Sequence, residues 1–100
     1  MTSGETNGFD WDADNIGHVG RHDVSAEEFE QAVPNSPICT GSEMDERSGE
    51  ERHVEIGHTE AGRVLIVVWA QRGEKCRAVT AFKANRQDRE GYYEQKGMVP

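Results

Sequence analysis

Residues 52–82 read RHVEIGHTEAGRVLIVVWAQRGEKCRAVTAF, and this stretch decides the fold. Three strand-like runs follow one another across short turns. Arg52 to Thr59 alternates, with Val54 and Ile56 facing inward. Glu60-Ala61-Gly62 is a hairpin turn. Arg63 to Gln71 contains an unbroken apolar run, Val64 to Ala70, which suits a central strand covered on both faces. Gln71-Arg72-Gly73-Glu74 turns the chain again, and Lys75 to Phe82 is the last strand. Strict alternation puts Cys76, Ala78, Thr80 and Phe82 on one side of it and Arg77, Val79 and Ala81 on the other.

Helices are expected on both flanks of this unit. Gly8-Phe9-Asp10-Trp11 spaces two aromatics at the period of a short strand, and Asp12 caps a helix from Ala13 to His22. Gly17 and Gly20 weaken that helix by about 1 kcal/mol each relative to alanine, so it depends on tertiary support. Ser25-Ala26-Glu27-Glu28 is a capping box, with Val24 placed to staple onto Phe29. Phe29, Ala32 and Val33 give the second helix its apolar stripe, and Pro34-Asn35-Ser36-Pro37 ends it. Ile38-Cys39-Thr40 is a short strand, and residues 41–51 form a polar, acidic loop. At the other end Asn85 caps a helix reaching about Gln95, with Asp88 at its third position. The expected order is β-α-α-β-β-β-β-α. That is an α+β fold, a small antiparallel sheet with two N-terminal helices and one C-terminal helix, in a single domain of residues 1–100 whose first seven residues fray.

One hundred residues exclude a doubly wound nucleotide-binding fold and a (β/α)8 barrel. The longest apolar run is far short of the about 20 residues of a membrane span, and the N-terminus lacks the basic and apolar regions of a signal peptide. The expected compartment is the cytoplasm, with Cys39 and Cys76 as reduced, small apolar residues. A net charge of −8 argues against nucleic-acid binding when taken alone. The charge is uneven, however. Residues 1–60 carry fifteen acidic and three basic side chains, whereas residues 61–100 carry four acidic and eight basic ones. Fields are local within a Debye length of about 8 Å, so the C-terminal part can present a basic face; a merely solvated surface has the same asymmetry.

Three kinds of chemistry compete. There is no Gly-x-Ser-x-Gly elbow, no phosphate loop and no cysteine with a persuasive histidine partner. His18 and His22 stand at i, i+4 on the expected first helix, but no third metal ligand lies near them in sequence; His53 and His58 face opposite sides of a strand. The basic residues are the richer signal. Arg63 and Arg72 flank the central strand, Arg77 lies on its neighbour, and Lys83, Arg86 and Arg89 surround the start of the last helix, where positive charge opposes the macrodipole. Tyr92 and Tyr93 add phenols and Trp69 a stacking surface, a combination that RNA binding uses.

Read in order, these segments resemble the BrnT toxin family of bacterial type II toxin–antitoxin systems. The likeness starts at Phe9-Asp10-Trp11-Asp12 and continues through Gly20-Arg21-His22-Asp23-Val24-Ser25, similar to the family's Lys-His-Gly-Val-Ser. It runs on through Arg52-His53-Val54-Glu55-Ile56-Gly57, Gly62-Arg63-Val64-Leu65-Ile66-Val67-Val68 and Arg72-Gly73. Arg77-Ala78-Val79-Thr80-Ala81 resembles its Arg-Ile-Ile-Ser-Ala-Arg, and Ala84-Asn85-Arg86 to Tyr92 its last helix. The resemblance implies a fold like that of RelE-type toxins, an endoribonuclease that uses no metal or other cofactor, and a small DNA-binding, BrnA-like antitoxin as partner. It points to Arg21, Arg63 and Arg77 as catalytic, with Lys83, Arg86 and Arg72 on the RNA. His22 and His58 are the general-base candidates, imidazole being the side chain most often used for proton transfer. The chain departs from the family at Phe82, where the family has arginine, at Arg21, where it has lysine, and in its acidity.

Two principal readings follow. One is a ribonuclease toxin in which arginines stabilise the phosphate during 2′-OH attack. The other is a catalytically weak module of the same fold that pairs with an antitoxin and modulates operon repression; Phe82 favours it. A third is an unrelated metal-dependent protein using His18 and His22.

Overall fold

The structure, a computed structural model, describes residues 8–34, 38–47 and 49–97. The frayed segment expected at 1–7, the helix stop at 35–37 and the Cys39 side chain lie outside what is described. The elements are β1 (Phe9–Asp10), α1 (Ala13–Gly20), α2 (Ala26–Ala32), β2 (Ile38–Met44), β3 (Glu51–His58), β4 (Val64–Arg72), β5 (Lys75–Lys83) and α3 (Arg86–Lys96). The fold is α+β, and the element order is the one expected. The sheet runs β1-β5-β4-β3-β2. Its four long strands are antiparallel, and the two-residue β1 joins β5 in parallel.

Local chemistry accounts for the helix starts. Asp12 and Asn15 form a reciprocal capping box on α1, as Ser25 and Glu28 do on α2, and Asn85 accepts from the Asp88 N–H on α3. α1 stops two residues before the expected His22: the His22 N–H bonds to the Val19 carbonyl, and Asp23 takes a left-handed φ of 61°. β2 runs on to Met44, through four residues expected to be loop, because β3 offers partners for Gly41 to Met44. Pairing there overrides a polar composition with little strand propensity of its own.

The strand register assigns the faces. Leu65, Val67 and Trp69 of β4 point toward α1 and α2, where Leu65 and Val67 bury with Val19, Val24, Phe29, Ala32, Ala78 and Ala81. Phe9 and Trp11 pack edge-on against Phe29. Gly57 is required here, because a Cβ at that position would collide with the Ala32 backbone. The opposite face carries Val64, Ile66, Val68 and Ala70. α3 covers only one end of it, burying Tyr92 with Val64 and Ala84 beside Ile38, Ile56 and Ile66. Val54 and Ile56 belong to this second face, opposite Val68 and Ile66.

One irregularity changes the reading of β5. Ala78 pairs with Trp69 and Thr80 with Val68, so Val79 is an extra residue with no partner. This bulge reverses the alternation beyond it. Ala81 joins Ala78 in the helix-covered core, while Thr80 and Phe82 come to the side of Arg77. The expected grouping of Thr80 and Phe82 with Cys76 and Ala78 therefore fails at a single residue that no turn or glycine marks.

Candidate functional site

The end of the second face that α3 leaves uncovered carries three arginines on three adjacent strands. Arg52 of β3 and Arg77 of β5 both pair with Ala70 of β4, and Arg72 stands two residues along β4 on the same side. Strands lie about 4.8 Å apart, so Arg52 and Arg77 flank a small alanine floor with their backbones about 10 Å from each other. All three arginines line one pocket of about 270 Å³, together with His18 of α1 and Glu50.

α1 is fixed at this edge by Asn15. β1 ends at Asp10, and the Asn15 amide then donates to both the Asp10 and the Ala78 carbonyls, at 2.8 and 3.1 Å. Its oxygen accepts from the Asp12 N–H at 2.7 Å. Every polar group of this buried amide is used, which is what its burial demands. The result places Asp12 against Arg77, at 2.9 Å, and His18 on the pocket wall. His18 Nδ1 lies 3.3 Å from the Asp14 carbonyl. A carbonyl only accepts, so Nδ1 is the donor in this contact.

Each pocket arginine has a carboxylate partner. Arg52 Nη2 meets Asp45 at 3.3 Å, Arg72 Nε meets Glu50 at 2.7 Å, and Arg77 Nη1 lies 2.9 Å from Asp12 and 3.7 Å from Asp10. The Asp12 carboxyl is held below its ordinary range first by the Asn15 N–H of the helix cap and next by Arg77. Glu50 raises the Arg72 pKa further above its usual value. The Nε of Arg52 is buried with no hydrogen-bond partner.

The structure divides the residues singled out in the sequence. Arg72 and Arg77 enter the pocket. Arg63 does not; it precedes β4 on the helix-covered side, donates to both Glu28 oxygens at 2.8 and 2.9 Å and reaches the Asp23 carbonyl at 2.9 Å. Arg63 is the main cause that depresses the Glu28 pKa, burial opposes it, and the Ser25 N–H adds to the depression. Arg21 and Lys83 are exposed and have no ion pair among the described residues. Arg86 pairs with Glu90 on the surface of α3.

The histidines and aromatics are divided as well. The His22 ring lies 6.0 Å from that of Phe82, whereas His58 Nδ1 is 2.6 Å from the hydroxyl of Tyr92 beneath α3. His18 on α1 and His22 in the turn after it thus go to different places. Trp69 sits on the helix-covered side, half-buried against His53 with ring centroids 4.5 Å apart, so it offers the arginines no stacking surface. Burial pushes the Cys76 thiol up to about 12, which removes it as a nucleophile.

Sequence reasoning passed over Arg52, His18 as a pocket residue, and Asn15. Arg52 had a usable signal, since it occupies the same side of its strand as Val54 and Ile56. The pocket role of His18 depends on where α1 crosses the sheet edge, which no local pattern encodes.

A family model for the ribonuclease toxin BrnT of type II toxin–antitoxin systems matches residues 11–88. The chain belongs to the BrnT family. The matched segment holds Asn15, His18 and all three pocket arginines. No curated protein and no solved structure matches the chain. BrnT proteins are ribonuclease toxins of type II systems, in which a toxin has an antitoxin partner and RNA targets. Among the described residues no helix is long and apolar enough to cross a membrane.

Proposed function

We propose that this BrnT chain cleaves RNA at the arginine pocket without a metal, by attack of a ribose 2′-hydroxyl on the adjacent phosphorus. The observation that carries this reading is the convergence of Arg72 and Arg77, with Arg52, on a pocket that also holds an imidazole. Guanidinium groups are permanently charged and match phosphate oxygens with two parallel donors. They stabilise the negative charge that builds on the phosphorane, a role worth about 10²–10³ in rate per donor in acyl-transfer sites. His18 Nε2 accepts the 2′-hydroxyl proton. The new 2′-O–P bond forms as the 5′-O–P bond breaks, and the leaving oxygen takes a proton from water while His18 returns its proton to solvent, giving a cyclic phosphate and a 5′-hydroxyl. Arg21 and Lys83, exposed and unpaired among the described residues, and Arg86 lie outside the pocket and are left for RNA contacts away from it. His22 remains the alternative base and Arg63 a supporting residue. The partner is a small BrnA-like, DNA-binding antitoxin, and the compartment is the cytoplasm.

The test is cleavage of total RNA by the purified protein in EDTA. Wild-type cleavage that His18→Ala lowers about a hundredfold, with the fold kept, supports the reading. Well-folded wild type that leaves RNA intact contradicts it.

One observation favours the second reading, a weak or inactive module that acts by binding the antitoxin. The Val79 bulge brings Phe82 to the same side as Arg77, so the position where the family resemblance expects arginine stands on the site's own face. Phe82 is 38 % exposed. Under this reading Phe82→Arg turns a silent protein into a nuclease. Under the first reading it raises an existing rate by no more than about tenfold.

A further inference from the structure

We infer that Arg52, Arg72 and Arg77 form a phosphodiester-binding site whose places are taken in cis by the chain's own carboxylates, so that the protein carries a built-in competitor for RNA. The inference rests on the ribonuclease reading only in naming RNA as the polyanion.

Two of the three arginines, Arg72 and Arg52, are in ion pairs of the exchangeable kind. Arg72 is 49 % exposed in its pair with Glu50, and Arg52 is 33 % exposed in its pair with Asp45. Pairs this accessible contribute little to stability, so a ligand of equal charge displaces them readily. The carboxylates also serve the guanidinium groups poorly. Asp45 meets only Nη2 of Arg52, at 3.3 Å, and leaves the buried Nε–H without an acceptor. Glu50 meets Arg72 through Nε. A phosphate presenting two oxygens fills the Nε–Nη2 edge that Asp45 leaves half used, and it gains the stronger bidentate geometry.

Asp45 and Glu50 are also tied to each other. They stand at the two ends of the β2–β3 connection, joined by Asp45 N–H to the Glu50 carbonyl at 2.8 Å, with Gly49 N–H donating to the Asp45 carbonyl at 2.7 Å. Asp12 has a separate duty as the cap of α1 and stays in place. The site therefore has a fixed acidic wall beside Arg77 and a displaceable one over Arg52 and Arg72. This arrangement gives the acidic composition a local role. The acid excess of the N-terminal part sets a threshold that only a polyanion, engaging several arginines together, overcomes.

The experiment measures binding of a fluorescent 2′-O-methyl oligoribonucleotide, which lacks the attacking hydroxyl, to the full chain by anisotropy across a salt series. The Asp45→Asn/Glu50→Gln double variant is expected to bind about tenfold more tightly than wild type, since the like-charge opposition is gone and the arginines remain. Arg52→Ala is expected to bind about tenfold more weakly, with the salt slope reduced by about one. Arg52→Lys keeps the slope and still loses affinity, and it serves if the alanine variant does not fold. Unchanged affinity in the double variant, or in both Arg52 variants, overturns the inference. Cleavage of ordinary RNA read on the same proteins separates the two proposals. Cleavage with unchanged binding in the variants removes the cis competitor and leaves the nuclease. Tightened binding without cleavage in any variant keeps the site and removes the nuclease.

Discussion

Arg63 and Arg77 leave the same sheet toward opposite sides, and their surroundings differ in kind. Arg63 is held on the helix-covered side by three hydrogen bonds to α2 and to the α1–α2 turn, so it ties the helix pair to the strand that follows. Arg77, with Arg52 and Arg72, stands on the uncovered end of the other side, and its partners are carboxylates at the rim of a pocket. An arginine whose acceptors all belong to the scaffold supports the fold; on the other side Asp12 beside Arg77 is likewise a helix cap, whereas Asp45 and Glu50 are exchangeable and leave Arg52 and Arg72 available to a ligand. Charge and proximity in sequence do not separate the two cases, and the acceptors do.

The largest effect is expected where the two sides are joined. Asn15→Leu leaves the Asp10 and Ala78 carbonyls and the Asp12 N–H without their partner, at a cost of about 2–4 kcal/mol. It also releases α1, and with it Asp12 and His18, from the pocket. A denaturant midpoint well below that of wild type, together with lost RNA binding, checks this. Gly57→Ala disturbs the covered side alone. Its Cβ forces β3 away from Ala32, for about 1–3 kcal/mol, while cleavage per folded molecule stays at the wild-type level.

Arg63→Ala sharpens the contrast through pH. The folded-state pKa of Glu28 lies below its ordinary 4.5, chiefly because Arg63 donates to it, so the pair stabilises the fold above that pH and the contribution fades as pH falls through the lower folded value. Melting curves are therefore expected to show a gap between wild type and Arg63→Ala at pH 7 that narrows below pH 4.5.

Much of the fold was legible because its signals are local. The two hairpin turns, the apolar run of β4 and the caps at Asp12, Ser25 and Asn85 each act within a few residues. The site was legible only in part. Arg72 and Arg77 were found from their strands. Arg52 lies in the acidic half of the chain, outside the basic C-terminal part, so the charge pattern gives it no role. The Val79 bulge was invisible, since nothing local distinguishes Val79 from its neighbours; pairing with β4 across the sheet creates it, and it alone decides which side Phe82 faces. Arg63 shows the converse. The family resemblance points to it as catalytic, and its bond to Glu28, a capping-box residue legible in the sequence, has no local signal of its own.

The most direct measurement compares Arg63→Ala and Arg77→Ala for RNA cleavage in EDTA, with melting temperature recorded on the same samples. The account predicts that Arg77→Ala loses about a hundredfold or more in rate with a small change in melting temperature, and that Arg63→Ala melts several degrees lower while its folded fraction cleaves at close to the wild-type rate. The reverse pattern, with Arg63→Ala stable and inactive and Arg77→Ala active, contradicts it and moves the chemistry to the helix-covered side.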